Sequence, residues 1–212
     1  ENGKETAARI HLLDSTGEWR YAPDCLAYEK DCHFTAHGAF LVLLPPGETE
    51  ITIQKGKENR RVSDRFRVAE GETMSRMYEL ERWIDMANRG WFSGDTHVHR
   101  SPEDMPHLME AEDLNIAPVI TYWNQRDQID KTIDDRMVCR GKRIYSMMTQ
   151  EDERAGGAVM AFNGDENVAN DTTQWYPPQA FFCWKWREQG ATIEQEKPFW
   201  WEAPVHVALG KV

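Results

Sequence analysis

Thr49-Glu-Ile-Thr-Ile-Gln54 alternates polar and apolar side chains with a period of two, which is the pattern of a strand with one buried face. The turn-forming Pro45-Pro-Gly47 precedes it. Similar short runs, separated by turn residues, occupy residues 9–13, 40–44, 65–68 and 77–80. Short strands at this spacing predict that residues 1–85 form a small antiparallel β-sandwich.

Beyond residue 85 short apolar runs alternate with amphipathic stretches. Strands are predicted over residues 94–98, 117–123, 143–148, 157–162 and 191–194. Helices are predicted over residues 105–114, 128–136 and 178–188. This alternation is typical of an α/β domain with a parallel sheet or barrel. Because a complete (β/α) barrel usually needs roughly 200–250 residues, residues 86–212 are expected to form the amino-terminal half of one.

The composition limits the partners of the chain. Its 212 residues are 40% hydrophobic, which is enough to build a buried core. The net charge of −11, without a basic stripe, argues against binding to nucleic acid. The apolar runs are far shorter than the ~20 residues of a membrane-spanning helix, so no membrane span is expected.

The cysteines and the first residues bear on the compartment of the protein. Cys25 and Cys32 are seven positions apart, too far for a zinc knuckle; they form either a disulfide or two buried thiols. The chain begins at Glu1 without an initiator methionine, as a mature or trimmed chain does. A secreted or periplasmic location is therefore expected.

The motif Gly94-Asp-Thr-His-Val-His99 is the strongest chemical signal. On a strand, His97 and His99 project from the same side because they are two positions apart. Two neutral imidazoles on one face are suited to a divalent Zn, Mn or Fe ion. The alternative is one buried and one surface histidine without a metal.

Gly90-Trp-Phe-Ser-Gly-Asp-Thr-His-Val-His99 resembles the first motif of the PHP (polymerase and histidinol phosphatase) superfamily, in particular its CehA/McbA branch. The resemblance covers residues 88–212, and Pro198-Phe-Trp-Trp-Glu202 fits the same branch. It implies a distorted (β/α)7 barrel, often preceded by a β-sandwich of the transthyretin or carboxypeptidase-regulatory kind. It also implies two or three divalent metals and hydrolysis of a phosphoester, ester or amide-type bond in a small-molecule substrate, which includes carbohydrate-linked ones.

The resemblance assigns candidate site residues. It places the first two metal ligands at His97 and His99 and the acidic ligand that follows them at Asp104, or at Glu103 beside it. Glu151 is the candidate for a bridging glutamate. The catalytic candidates near the substrate, Glu196 and Lys197, stand in Glu196-Lys-Pro198, where the family has a His-Pro.

Two departures from the family pattern bear on activity. Thr121-Tyr-Trp-Asn124 replaces the usual Asp-His pair. The family's last ligands, an Asp-x-His, would lie beyond Val212, so the metal centre and the barrel are expected to be incomplete within these residues. We therefore expect weak or absent hydrolysis, and self-association through an unpaired edge near residues 191–194.

Several features also have a structural interpretation. The acidic run Glu151-Asp-Glu153 either converges on His97 to attract a cation or forms a solvated loop. Lys197 beside Glu196 is either an active-site group or half of a surface ion pair. The density of aromatic residues between 175 and 201 suits either sugar stacking or a core. The competing function is thus a non-catalytic carbohydrate-binding or interaction module.

Overall fold

The structure is a computed structural model that describes residues 1–124, 137–154, 157–168, 176–197, 201–210 and 212. It contains two compact units, each built on its own sheet. The first comprises residues 1–93 and 104–115, and the second comprises residues 94–103 and 116–212. Each unit is described below by itself.

The first unit is a five-stranded antiparallel sheet. Its strands are β1 (Ala7–Leu13), β2 (Leu26–Tyr28), β3 (His33–His37), β4 (Gly47–Gln54) and β5 (Val62–Val68). Their spatial order is β2-β3-β1-β4-β5. The predicted strands over 9–13, 49–54 and 65–68 lie within β1, β4 and β5, and the sheet is compatible with the predicted sandwich architecture.

The run at residues 40–44 is not a strand. Phe40 and Val42 pack against the buried core of the sheet, whereas Leu41 and Leu43 are 75% and 88% exposed. The predicted strand at 77–80 behaves in the same way, since Leu80 is buried outside any strand. An apolar run therefore does not by itself predict that every side chain is buried, or that the backbone joins a hydrogen-bonded ladder.

Helix α1 (Met105–Ala111) confirms the helix predicted from residue 105, but it groups with the first unit rather than with the α/β part of the chain. It contacts β1 and β3. The buried ammonium of Lys55 donates hydrogen bonds to the backbone oxygens of Ala7 (3.1 Å) and Glu110 (2.6 Å). These bonds connect the helix to the sheet, because a buried ammonium must be hydrogen-bonded to be tolerated.

The sheet of the second unit is mixed. Its strands are β6 (Ile116–Trp123), β7 (Met137–Arg140), β8 (Arg143–Arg154), β9 (Gly157–Phe162) and β10 (Thr192–Gln195). The order is β10-β9-β8-β6, and β7 pairs with the first part of β8. Only β6 and β8 are parallel to each other, whereas β7, β9 and β10 pair antiparallel to their neighbours.

The antiparallel pairings correct the expectation of a parallel sheet from β8 onward. Gly141 and Lys142 form a two-residue turn between β7 and β8, and Gly141 has a φ of 60°. Such short connections produce hairpins, which are antiparallel. The predicted strand at 94–98 consists of two isolated parallel bridges to β6, at Gly94 and at Val98.

Two helices complete the described part of this unit: α2 (Gln179–Glu188) and α3 (Ala203–Ala208). The predicted helix at 178–188 is thereby confirmed, as are the strands over 117–123, 143–148 and 157–162. Helix α2 covers β9 and β10 through a buried cluster formed by Val159, Ala161, Phe182, Cys183, Trp186, Ala191 and Ile193. The helix predicted at 128–136 lies outside the described residues.

Two further sequence expectations can be compared with the structure. All four cysteines are free thiols, so the alternative of unpaired Cys25 and Cys32 holds. Within the residues that the structure describes, no helix is long and apolar enough to cross a membrane.

Candidate metal centre

His97 and His99 flank Val98, at the end of the segment that pairs with β6. Val98, between them, is buried and bridges to Val119 of β6. The backbone N–H of His97 donates to Asp95 Oδ1 (3.0 Å), which fixes the turn before the motif. Because Val98 points into the core, both imidazoles project from the opposite side and remain partly exposed.

Strand β8 brings a carboxylate to the two histidines. In the parallel register of the sheet, Glu151 lies beside Trp123 at the end of β6. Glu151 is 1% exposed, whereas its neighbours along the strand face the other way: Asp152 binds the buried guanidinium of Arg154 through contacts of 2.8 Å. The run 151–153 is thus part of a strand and not a solvated loop.

Three potential ligand atoms converge. His97 Nε2 lies 2.9 Å from His99 Nε2, His99 Nε2 lies 3.1 Å from Glu151 Oε2, and His97 Nε2 lies 3.8 Å from the same oxygen. A triangle with these sides has a point about 2.0–2.1 Å from each corner, which is the length of zinc bonds to histidine nitrogen and carboxylate oxygen. The three groups could therefore hold one metal ion.

The environment of Glu151 also favours a cation. Although His99 Nε2 is near, Glu151 Oε2 is buried without a well-formed hydrogen bond from the residues that the structure describes. Burial raises the pKa of Glu151, and the neighbouring carboxylates of Glu196 and Glu153 raise it further. A divalent cation would supply the positive charge that this carboxylate lacks, so the residues present fit a metal ion.

Glu196 and Lys197 lie beside this group, at the end of β10. Glu196 Oε1 is 3.4 Å from His97 Nδ1. This is the ring nitrogen of His97 that does not belong to the three converging atoms. Lys197 Nζ forms an ion pair with Glu153 and lies 4.0 Å from Glu196 Oε1. These carboxylates raise the pKa of Lys197 against the opposing effect of burial. Lys197 therefore carries a positive charge next to the histidines.

Asn124 is a site-forming residue that the sequence analysis did not single out. Its side-chain amide donates to Asp152 Oδ1 and to the backbone oxygen of Glu153, both at 3.0 Å. Its side-chain oxygen accepts from the backbone N–H of Glu153 at 2.8 Å. Asn124 thus ties the end of β6 to the acidic part of β8. Its position, where the resembling family has an Asp-His pair, was the signal that could have identified it.

Trp123 forms a wall of the site, since its ring lies 4.7 Å from that of His99. Asp104, the fourth predicted ligand, is the residue before α1 and belongs to the first unit. In the described ranges, the converging ligand group contains His97, His99 and Glu151, and Asp104 is not a member. The backbone oxygen of Asp104 accepts the hydrogen bond of Leu108 that starts the helix, and the role of Asp104 as a ligand stays a prediction.

The aromatic residues of the carboxy-terminal part divide between core and surface. Trp186 is fully buried, whereas Tyr176, Trp184 and Trp201 are 72%, 47% and 59% exposed. Trp175 and Trp200 lie outside the described residues. The three exposed rings, those of Tyr176, Trp184 and Trp201, are accessible for stacking on a sugar.

We compared the chain with protein-family models, with curated proteins and with solved structures, and none of the three comparisons finds a match.

Proposed function

We propose that the chain is a metal-dependent hydrolase of the PHP type, acting on a phosphoester, ester or amide-type bond of a small molecule. The observation that carries the proposal is the convergence of His97, His99 and Glu151 at the distances that a divalent ion requires. Two imidazoles and one carboxylate suit Zn, Mn or Fe(II) and leave coordination positions open for water and substrate. The bridges of 94–98 to β6, and β6 to β8, would be the first parallel strands of the barrel.

A divalent ion bound there would lower the pKa of a coordinated water and polarise the substrate oxygen. The chain supplies the remaining functions. Glu153 is an acceptor for a proton on the side of the histidines. The ammonium of Lys197, held by Glu153, is the donor for a negatively charged oxygen of the reacting group.

The proposal is tested by metal binding and by hydrolysis together. We expect the purified chain to bind a divalent metal and the double variant His97→Ala/His99→Ala to lose it, because two of the three protein ligands disappear. His37→Ala is the matched control, since His37 is an exposed histidine of the first unit. Hydrolysis of aryl phosphates and aryl esters is measured after addition of Zn, Mn or Fe(II). Unchanged metal content in the double variant would contradict the proposal.

A carbohydrate-binding function is favoured by a different observation. On α2, the exposed rings of Phe181 and Trp184 lie 6.5 Å apart, and Lys185 Nζ lies over both. Exposed aromatic faces of this kind stack on sugars. Titration with neutral oligosaccharides, followed by tryptophan fluorescence, tests this function, and Trp184→Ala would remove the binding without affecting metal content.

A further inference from the structure

We infer that Glu196 is a positioning residue that fixes the tautomer of His97, so that Nε2 of this ring presents its lone pair to the metal. The inference deepens the proposed function and rests on it for its use. It assigns Glu196 a role outside the ligand set, where the sequence analysis expected a catalytic residue near the substrate.

The positions of the two ring nitrogens carry the inference. Nδ1 of His97 lies 3.4 Å from Glu196 Oε1, whereas Nε2 lies 2.9 Å from His99 Nε2 and 3.8 Å from Glu151 Oε2. A neutral imidazole has one N–H and one lone pair, whereas an ionised carboxylate only accepts hydrogen bonds. The proton is therefore placed on Nδ1, and the lone pair of Nε2 points toward the converging atoms. Carboxylates orient metal-binding histidines by this arrangement.

The backbone around Glu196 is anchored. The N–H groups of Glu196 and Lys197 donate to the backbone oxygen of Ala158 on β9, at 3.1 and 3.3 Å. The side chain of Gln195 donates to the same oxygen at 2.9 Å. Lys197 Nζ lies 4.0 Å from Glu196 Oε1 and adds a positive charge beside this oxygen. The backbone that carries the carboxylate is consequently held in place by the sheet, which is what a positioning group requires.

The strand offers a matched control two residues away. Glu194 of β10 is exposed, and its backbone is paired in the same ladder with β9. Substitution of Glu194 by Gln changes the same charge on the same strand without approaching the histidines. A general electrostatic effect would appear in both variants, whereas positioning of His97 would appear only in the Glu196 variant.

The experiment measures the tautomer directly in the metal-free protein. Nitrogen-15 NMR of histidine-labelled chain at alkaline pH distinguishes Nδ1–H from Nε2–H, and His97→Gln assigns the signal. We expect wild-type His97 to be Nδ1–H. In Glu196→Gln the amide can donate to Nδ1, so the Nε2–H form should increase, with a fall in metal affinity of about 10–100-fold. Glu196→Asp, which keeps an acceptor, should recover part of the affinity, and Glu194→Gln should change neither quantity.

Each outcome decides the inference. An Nε2–H tautomer in the wild-type chain would overturn it even if the Gln variant failed to fold. Loss of metal affinity in Glu196→Gln with an unchanged tautomer would overturn it as well, because Glu196 would then be a direct ligand. A tautomer change in a chain that binds no metal would support the positioning role and contradict the proposed function, so the two failures are distinguishable.

Discussion

Asp14 in the first unit and Glu151 in the second are both buried carboxylates, but their surroundings are opposite. Asp14 accepts hydrogen bonds from the N–H and hydroxyl of Thr16 and from the N–H of Glu18, and it forms an ion pair with Arg20. Burial alone would raise the pKa of Asp14, but these hydrogen bonds hold it below its usual range. For Glu151, burial and neighbouring carboxylates act in the same direction and raise the pKa.

The comparison shows that burial of a carboxylate does not by itself mark a functional site. Asp14 is fully compensated by groups of its own turn and therefore stabilises the fold. Glu151 has an uncompensated oxygen that faces two imidazoles. A carboxylate in such an environment costs stability, and a bound cation would supply the missing charge.

The largest expected effect separates the two carboxylates by metal binding. Glu151→Gln is expected to lower the affinity for a divalent metal by more than about 100-fold, since loss of a direct ligand exceeds the cost of losing an outer partner. Asp14→Asn is expected to leave it unchanged. Competition with a chromogenic chelator measures both. Equal affinities in the two variants would remove the distinction drawn above.

The next effect concerns stability. Asp14→Ala is expected to destabilise the first unit by about 3 kcal/mol, because buried donors around the turn lose a charged acceptor. In the metal-free protein, Glu151→Leu is expected to leave the free energy of unfolding of the second unit unchanged or to raise it, because a buried carboxylate without a well-formed hydrogen bond at Oε2 is removed. Urea unfolding of both variants tests this, and a comparable loss in Glu151→Leu would show that Glu151 is also structural.

A pH dependence follows from the lowered pKa of Asp14. A carboxylate with a lower pKa in the folded state contributes stability that is present above its unfolded pKa of about 4 and is lost as the pH falls through the folded value. The free energy of unfolding of the first unit is therefore expected to decline below about pH 4. Asp14→Asn should flatten this decline. An unchanged acid profile in that variant would assign the effect to other carboxylates.

The smallest expected effect tests which partner of Asp14 matters. Arg20→Gln is expected to cost about 1 kcal/mol or less, because the side chain of Arg20 is 40% exposed and water screens the ion pair. The three hydrogen bonds from Thr16 and Glu18 remain. Thermal unfolding beside Asp14→Ala measures the difference. If Arg20→Gln were as damaging as Asp14→Ala, the ion pair and not the turn would hold the carboxylate.

The sequence predicted the elements that depend on local pattern. The apolar runs that became β6 and β9 and the amphipathic stretch of α2 are visible without knowledge of the fold. The spacing of His97 and His99 also predicted their common side. Asp14, in contrast, lies in the turn-forming run Asp14-Ser-Thr-Gly17, and its burial results from packing of the first unit.

The convergence on Glu151 could not be derived from local pattern. It depends on the parallel register that places Trp123 beside Glu151, and pairing partners distant in sequence are not encoded in the periodicity of either strand. The hairpin of β7 and β8 has a local signal, because Gly141-Lys142 is a turn between two short runs, but the sequence pattern predicts a strand only over the second run. Placement of α1 in the first unit involves contacts between residues distant in sequence, such as the hydrogen bond from Lys55 to Glu110, 55 positions away.

Strand β8 serves two surfaces at once, with Glu151 toward the histidines and Asp152 and Arg154 toward the other side. Insertion or deletion of one residue within the strand would exchange these surfaces, whereas a change of two would restore them. A single-residue length change in β8 would therefore move the ligand and unpair the buried Asp152–Arg154 contact together. Natural variation in length near this strand is consequently expected to fall in the turn at Gly141, where neither surface is affected.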